Sequence, residues 1–125
     1  MLCIDTIVKK SNISGLGLFA NVDIPQGTVI WKFEPKLDTL LKIEDIQNLS
    51  EEAIQQFLNY AFFDKSREKF MLCGDDARFF NHSEAPNCDD INTDITVAVR
   101  NIQKGEELTV DYKTFDGDIT RHTFI

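Results

Sequence analysis

Short apolar runs separated by turn residues dominate the chain, and a single stretch carries clear helical spacing. Cys3 to Lys10 reads as a first strand closed by Lys9-Lys10, and Ser11-Asn12-Ile13-Ser14-Gly15 is turn chemistry. Gly15-Leu16-Gly17 leads into a second short strand, Leu18 to Ala20. Ile24-Pro25-Gln26-Gly27 makes a tight turn, because Pro presets one backbone angle and Gly tolerates the closing position. The β-branched and aromatic residues from Thr28 to Phe33 predict a third strand.

At Ser50 the period changes. Ser is a good N-cap, Glu51 and Glu52 suit the positive end of a helix dipole, and Ile54, Phe57, Leu58 and Ala61 then recur on one face. A shorter helical turn is expected around Ile43 to Leu49. Beyond it Lys69 to Cys73, Ile95 to Arg100 and Glu107 to Tyr112 read as strands. The pattern predicts a mainly β domain with a helical insert at about 43–63. Ile24-Pro25-Gln26-Gly27-Thr28-Val29-Ile30 is echoed by Ile102-Gln103-Lys104-Gly105-Glu106-Glu107-Leu108, two turn-then-strand corners of one design that read as structural.

With 125 residues the chain reads as one domain, and ten Phe supply much of its core. Lys+Arg number 13 against 21 Asp+Glu, a net charge of −8, which argues against direct nucleic-acid binding and favours a basic peptide or protein partner. No apolar run reaches the ~20 residues of a membrane helix, and the N-terminus lacks the pattern of a signal peptide. Cys3, Cys73 and Cys88 form no CxxC pair, a poor framework for disulfides or zinc that fits a reducing compartment. The chain is therefore expected to be soluble and intracellular.

Three segments carry candidate chemistry. Ser14-Gly15-Leu16-Gly17-Leu18-Phe19-Ala20 brings backbone amides within reach of a ligand, or simply turns between strands. Ala77-Arg78-Phe79-Phe80-Asn81-His82-Ser83-Glu84-Ala85-Pro86-Asn87-Cys88 packs an Arg, an amide and an imidazole beside two Phe, which suits a ligand polar at one end; read alone it is equally an Asx-type turn. Gly105-Glu106-Glu107-Leu108-Thr109-Val110-Asp111-Tyr112 ends a strand on a tyrosine, which by itself suits edge packing.

Together, and in this order, the three segments resemble the SET-domain family of protein lysine methyltransferases, from about Cys3 to Phe115. The layout is most similar to the minimal, stand-alone members found in viruses and bacteria. The resemblance implies a β-clip-like fold of small curved sheets with a knot-like C-terminal core. It implies S-adenosylmethionine as methyl donor and a lysine side chain, in a histone or another basic protein segment, as acceptor. Gly15, Leu16, Gly17 and Leu18 would lend backbone contacts to the cofactor, and Arg78 would pair with its carboxylate. Asn81 would bind its ammonium group and His82 would meet the adenine through its backbone. Tyr112 matches the tyrosine beside the transferring methyl; Tyr60, matched by spacing, would stand at the lysine channel. Phe115 or Phe124 would either lid the adenine or pack the C-terminus.

Larger members share a zinc between a Cys just after Asn-His-Ser and a Cys-rich tail. Here Glu84 takes that position and Lys113 to Ile125 holds no Cys, so no metal and no zinc-binding tail is expected. The resemblance also admits a homodimer, and a rival reading in which the fold has lost turnover and serves as a protein-interaction module. Glu84, Asp89, Asp90 and Asp94 read as an acidic loop that is either merely solvated or attracts basic residues around a target lysine.

Overall fold

In the computed structural model residues 1–64, 67–92 and 94–112 are described. They build four small sheets and two helices, with no closed barrel. Strands β1 (Thr6–Lys10) and β2 (Leu16–Ala20) form an antiparallel hairpin, closed where Ser11 N donates to Gly15 O at 2.8 Å. Strand β3 (Val29–Lys32) follows the predicted Pro-Gly turn. Next come β4 (Thr39–Leu41) and two helices, α1 (Ile43–Gln47) and α2 (Glu51–Tyr60). Beyond them lie β5 (Phe62–Asp64) and β6 (Lys69–Leu72), a 3₁₀ turn at Asp76–Phe79, and β7 (Asn81–His82). Strands β8 (Cys88–Asn92), β9 (Ile95–Ala98) and β10 (Thr109–Val110) complete the fold.

The helix at Ser50 forms as its pattern predicts. The Ser50 side chain accepts a hydrogen bond from Ala53 N, which satisfies one of the orphan donors of the first turn. Its apolar face carries Leu58 and Ala61 into the interior, with Leu58 packed beside Ile46 of α1 and Phe70 of β6. Phe70 meets Phe57 and Phe63 edge-on, with ring centroids 5.8 and 5.3 Å away. These contacts mount the helical insert on the β4-β6-β5 sheet.

The repeated corners have a structural purpose. Ile24 and Ile102 lie opposite each other in an antiparallel bridge, exchanging N–H···O bonds of 2.7 and 2.8 Å. Both side chains are buried in the main core with Leu18, Ile30 and Leu108. Gly27 and Gly105 take φ of +86° and +96°, a region that favours glycine, so each corner turns with little strain.

Two expectations change. Glu107 to Tyr112 is not one strand: Thr109–Val110 pairs in parallel with Asn81–His82, while Glu107 forms only an isolated antiparallel bridge with Phe19. The apolar alternation there reflects the burial of Leu108 and Val110 in the core, not a long ladder. The stretch read as an acidic loop contains strand β8, paired antiparallel with β9 from Cys88↔Ala98 to Asn92↔Ile95. Of its four acidic residues only Asp89 and Asp90 lie on β8, one on each face, so neither face shows an apolar alternation in the sequence. Among the described residues no helix is long and apolar enough to cross a membrane.

Candidate active site

The parallel pair β7–β10 is the centre of the site. It brings the Asn-His-Ser segment beside the Thr-Val-Asp-Tyr segment, 28 residues apart at the Asn81↔Thr109 position, and Ser83 N extends the pairing by donating to Val110 O at 3.0 Å. Asn87 locks the arrangement from behind. It is 4% exposed, donates from Nδ2 to Glu107 O (2.8 Å) and accepts from Thr109 N (2.9 Å). Its role in the Pro-Asn pair is thus to satisfy backbone that no strand reaches.

Asn81 ties the glycine-bearing hairpin to this pair. Its Nδ2 donates to Ser14 O (3.1 Å), Leu16 O (3.2 Å) and Glu107 Oε2 (2.8 Å). Three acceptors on one side settle which end of the amide is which. Oδ1 is then left, among the described residues, as an acceptor facing no protein donor. Nothing in the sequence singles out Glu107, one of two adjacent glutamates, as a site residue. Its carboxylate also accepts from Ser11 Oγ at 2.7 and 2.9 Å, so it clamps both ends of the β1–β2 turn to the Asn-His-Ser segment. The close approach explains Gly17: a Cβ there would stand 2.4 Å from Glu107 Oε2. No motif of spacing announces Glu107, because its partners lie 96 and 26 residues away.

His82 accepts from Tyr112 N through Nδ1 at 3.0 Å, and the two rings lie 5.3 Å apart. A nitrogen accepting that backbone N–H carries no proton, so the 3.6 Å approach of Asp111 to the same nitrogen is not an ion pair in this form. Tyr112 donates its hydroxyl proton to Phe80 O. That bond fixes the position of the oxygen on the pocket wall.

A pocket opens between the helical insert and the β3-β9-β8 sheet. Its walls include Trp31, Tyr60, Phe62, Phe80 and Tyr112, with Arg78 and Asp90 also on the lining. Arg78 lies 5.5 Å over the Tyr60 ring and donates to Cys73 O at 2.9 Å; Tyr60 in turn meets Phe79 edge-on at 5.9 Å. The structure thus gathers Tyr60, Arg78 and Tyr112 in one cavity, while Gly15 to Leu18, Asn81 and His82 lie together on the neighbouring hairpin and parallel pair. Phe115 and Phe124 lie outside the described residues. The Cys73 and Cys88 thiols are pushed up to about 12, mainly by burial, so neither is a nucleophile at neutral pH. Among the described residues no group of three or more His, Cys, Asp or Glu could hold a metal ion.

The acidic cluster is split by the pleat of β8. Asp89 and Glu84 are exposed, and Asp94 is ion-paired with Arg67. Asp90 points the other way, into the pocket, and accepts from Thr96 Oγ1 across the strand pair. Burial, reinforced by the Asp89 and Asp64 charges and opposed by the Thr96 hydrogen bond, pushes its carboxyl up to about 6. A raised pKa means that the folded state resists ionising Asp90: the associated stability is present below about pH 4 and is lost as pH rises through 6. Asp90→Asn should therefore gain about 1–3 kcal/mol over the wild type at pH 8 and little at pH 4, read from urea unfolding at both values. Equal stability of the two proteins at pH 8 would mean that Asp90 is not held in a desolvated place.

A family model for the SET domain matches residues 15–113, and the chain belongs to the SET-domain family. Histone-lysine N-methyltransferase 2D of Homo sapiens is 32% identical over 125 residues, covering 92% of this chain and 2% of the relative. Histone-lysine N-methyltransferase trr of Drosophila melanogaster is 31% identical, covering 92% of this chain and 5% of the relative. The chain thus spans a small part of the length of these relatives. Among solved structures, Chaetomium thermophilum Polycomb Repressive Complex 2 bound to GSK126 aligns with a TM-score of 0.72 at 23% identity, covering 96% of this chain and 17% of that one. The same complex in an autoinhibited conformation bound to S-adenosylmethionine aligns at 0.71 and 22%, covering 96% and 16%. At such identities these two show the shared fold.

Proposed function

We propose that the chain is a protein lysine methyltransferase that takes its methyl group from S-adenosylmethionine and transfers it to the side-chain amine of a lysine in a basic protein segment, as in a histone. The observation that carries this reading is the placement of Tyr112. It closes the aromatic pocket and, through His82, leans on the same parallel pair that holds Asn81.

The residues present fit the cofactor. Asn81 Oδ1 and the carbonyls of Ser14 and Leu16 form a set of acceptors with Glu107 behind them, the chemistry that an ammonium group requires. Arg78, on the pocket lining, is the cation available to a carboxylate. The cofactor supplies a methyl group already activated on a sulfonium. What remains for the protein is alignment, exclusion of water and acceptance of the amine. Aromatic walls at Tyr60, Phe62 and Phe80 guide a long alkyl chain and desolvate its end. Tyr112, its hydroxyl fixed by the bond to Phe80 O, is the polar group of the pocket wall that would meet the amine and the polarised methyl. Proximity of donor and amine then accounts for most of the acceleration. The acidic balance of −8 favours encounter with a basic segment.

Incubation with labelled S-adenosylmethionine and histones or a proteome extract, followed by mass-spectrometric mapping, tests the reading directly. Label on lysine side chains is the expected result. Cofactor binding without transfer to any protein would instead favour the interaction module.

A further inference from the structure

We infer that Asp90 is the charge-selecting residue of the acceptor pocket, its carboxylate receiving the ammonium end of the incoming lysine, which gives its proton to solvent before the neutral amine takes the methyl group. The inference rests on the methyltransferase reading for the identity of its ligand, and on the structure alone for the cation site.

Asp90 contributes the one carboxyl group among the described residues that line the pocket. Oδ1 accepts from Thr96 Oγ1, which orients the group, while Oδ2 has no hydrogen-bond partner among the described residues. Nor is the charge cancelled. Among the described residues the only cation on the lining is Arg78, and that guanidinium is engaged by Cys73 O and the Tyr60 ring, with no ion pair to Asp90. A half-buried carboxylate facing aromatic rings without a counter-ion is costly to hold and is relieved by a cation from outside. The rings of Trp31, Tyr60 and Tyr112 add cation–π attraction for an alkylammonium.

A second, independent observation marks the same wall as incomplete. Trp31 is 4% exposed, lines the pocket, and its indole N–H is the one buried side-chain polar atom without a hydrogen-bond partner among the described residues. Buried polar atoms are nearly always satisfied, so this orphan donor calls for an acceptor, a water or a ligand oxygen; the ammonium group, a donor itself, does not supply it.

The groups able to disturb Asp90 by titrating are few. Asp89 on β8 and Asp64 on β5 act on it through charge, and Arg78, Tyr60, Tyr112 and Cys73 share its pocket. Of these, the carboxylates of Asp89 and Asp64 raise its affinity for protons and so narrow the pH range in which it binds a cation.

Trp31 is the single tryptophan of the chain, so its fluorescence reports the pocket. The wild type is titrated at pH 8 and constant ionic strength with n-butylammonium chloride and with 1-butanol, its neutral counterpart of similar shape. Butylammonium should bind at least fivefold tighter, and this preference should fade as pH falls through about 6, where Asp90 takes up a proton. In Asp90→Asn the preference should vanish while the affinity for butanol stays within twofold. Equal binding of the two ligands by the wild type, a preference that survives in Asp90→Asn, or a flat titration with both would each overturn the assignment. The wild-type comparison stands even if the variant folds poorly. Methyl transfer decides the other question separately. A cation preference without any transfer strikes the methyltransferase reading and spares Asp90; transfer in which Asp90→Asn leaves the Michaelis constant for lysine peptides unchanged strikes Asp90 alone.

Discussion

Tyr112→Phe should cut methyl turnover at least tenfold while leaving cofactor affinity within about twofold. Tenfold corresponds to about 1.4 kcal/mol of transition-state stabilisation, a modest demand on one preorganised hydrogen-bonding group. The ring would stay, held against His82 at 5.3 Å and by the backbone bond from Tyr112 N to His82 Nδ1. Only the oxygen is lost, and with it the hydrogen bond to Phe80 O and the contact proposed with the reacting groups. Because the pocket keeps its shape, ground-state binding should barely change and the loss should appear in kcat. Single-turnover kinetics with a lysine peptide, beside calorimetric titration of the cofactor, measure both. Wild-type turnover in the variant would remove Tyr112 from the chemistry.

Asn81→Ala should weaken cofactor binding by about five- to a hundredfold. Losing the amide removes the Oδ1 acceptor proposed for the ammonium group, and an unpaired polar group in a desolvated site costs about 1–3 kcal/mol. The structure adds a second route to the same loss. The amide also bridges Ser14 O, Leu16 O and Glu107, so the glycine-bearing turn loses its tether to the Asn-His-Ser segment. Asn81→Asp separates the two routes. It keeps an acceptor for the ammonium but places a negative charge against Glu107 and two carbonyls, so it should perturb the turn while sparing part of the charge attraction. Calorimetry on both variants, with amide exchange at Leu16 to Leu18 as the report on the tether, distinguishes them. Unaltered cofactor affinity in Asn81→Ala would mean that the cofactor binds elsewhere.

Much of this was legible in the chain itself wherever the signal is local. The cap at Ser50, the apolar face of α2 and the Pro-Gly corner are set by contacts a few residues apart, and they form where their patterns lie. The ordered trio of segments also sufficed to point to the family, because each segment keeps its residue types together: Gly-Leu-Gly, Asn-His-Ser and the closing Tyr112. Glu107 and Asp90 are different. Glu107 acquires its role from Ser11, 96 residues away, and from Asn81, 26 away; within its own segment it is one of two adjacent glutamates with nothing to tell them apart.

Asp90 shows the limit most plainly. In one dimension it belongs to a run of acids, Asp89, Asp90 and Asp94, that averages to a solvated loop. A strand reverses its side chains at every residue, so pairing β8 with β9 sends Asp89 to solvent and Asp90 toward the pocket. Composition, turn chemistry and helix period are properties of neighbours along the chain, and the sequence by itself determined them. The partner of a carboxylate, the face a strand buries and the meeting of β7 with β10 depend on segments tens of residues apart, and only the tertiary structure decided those.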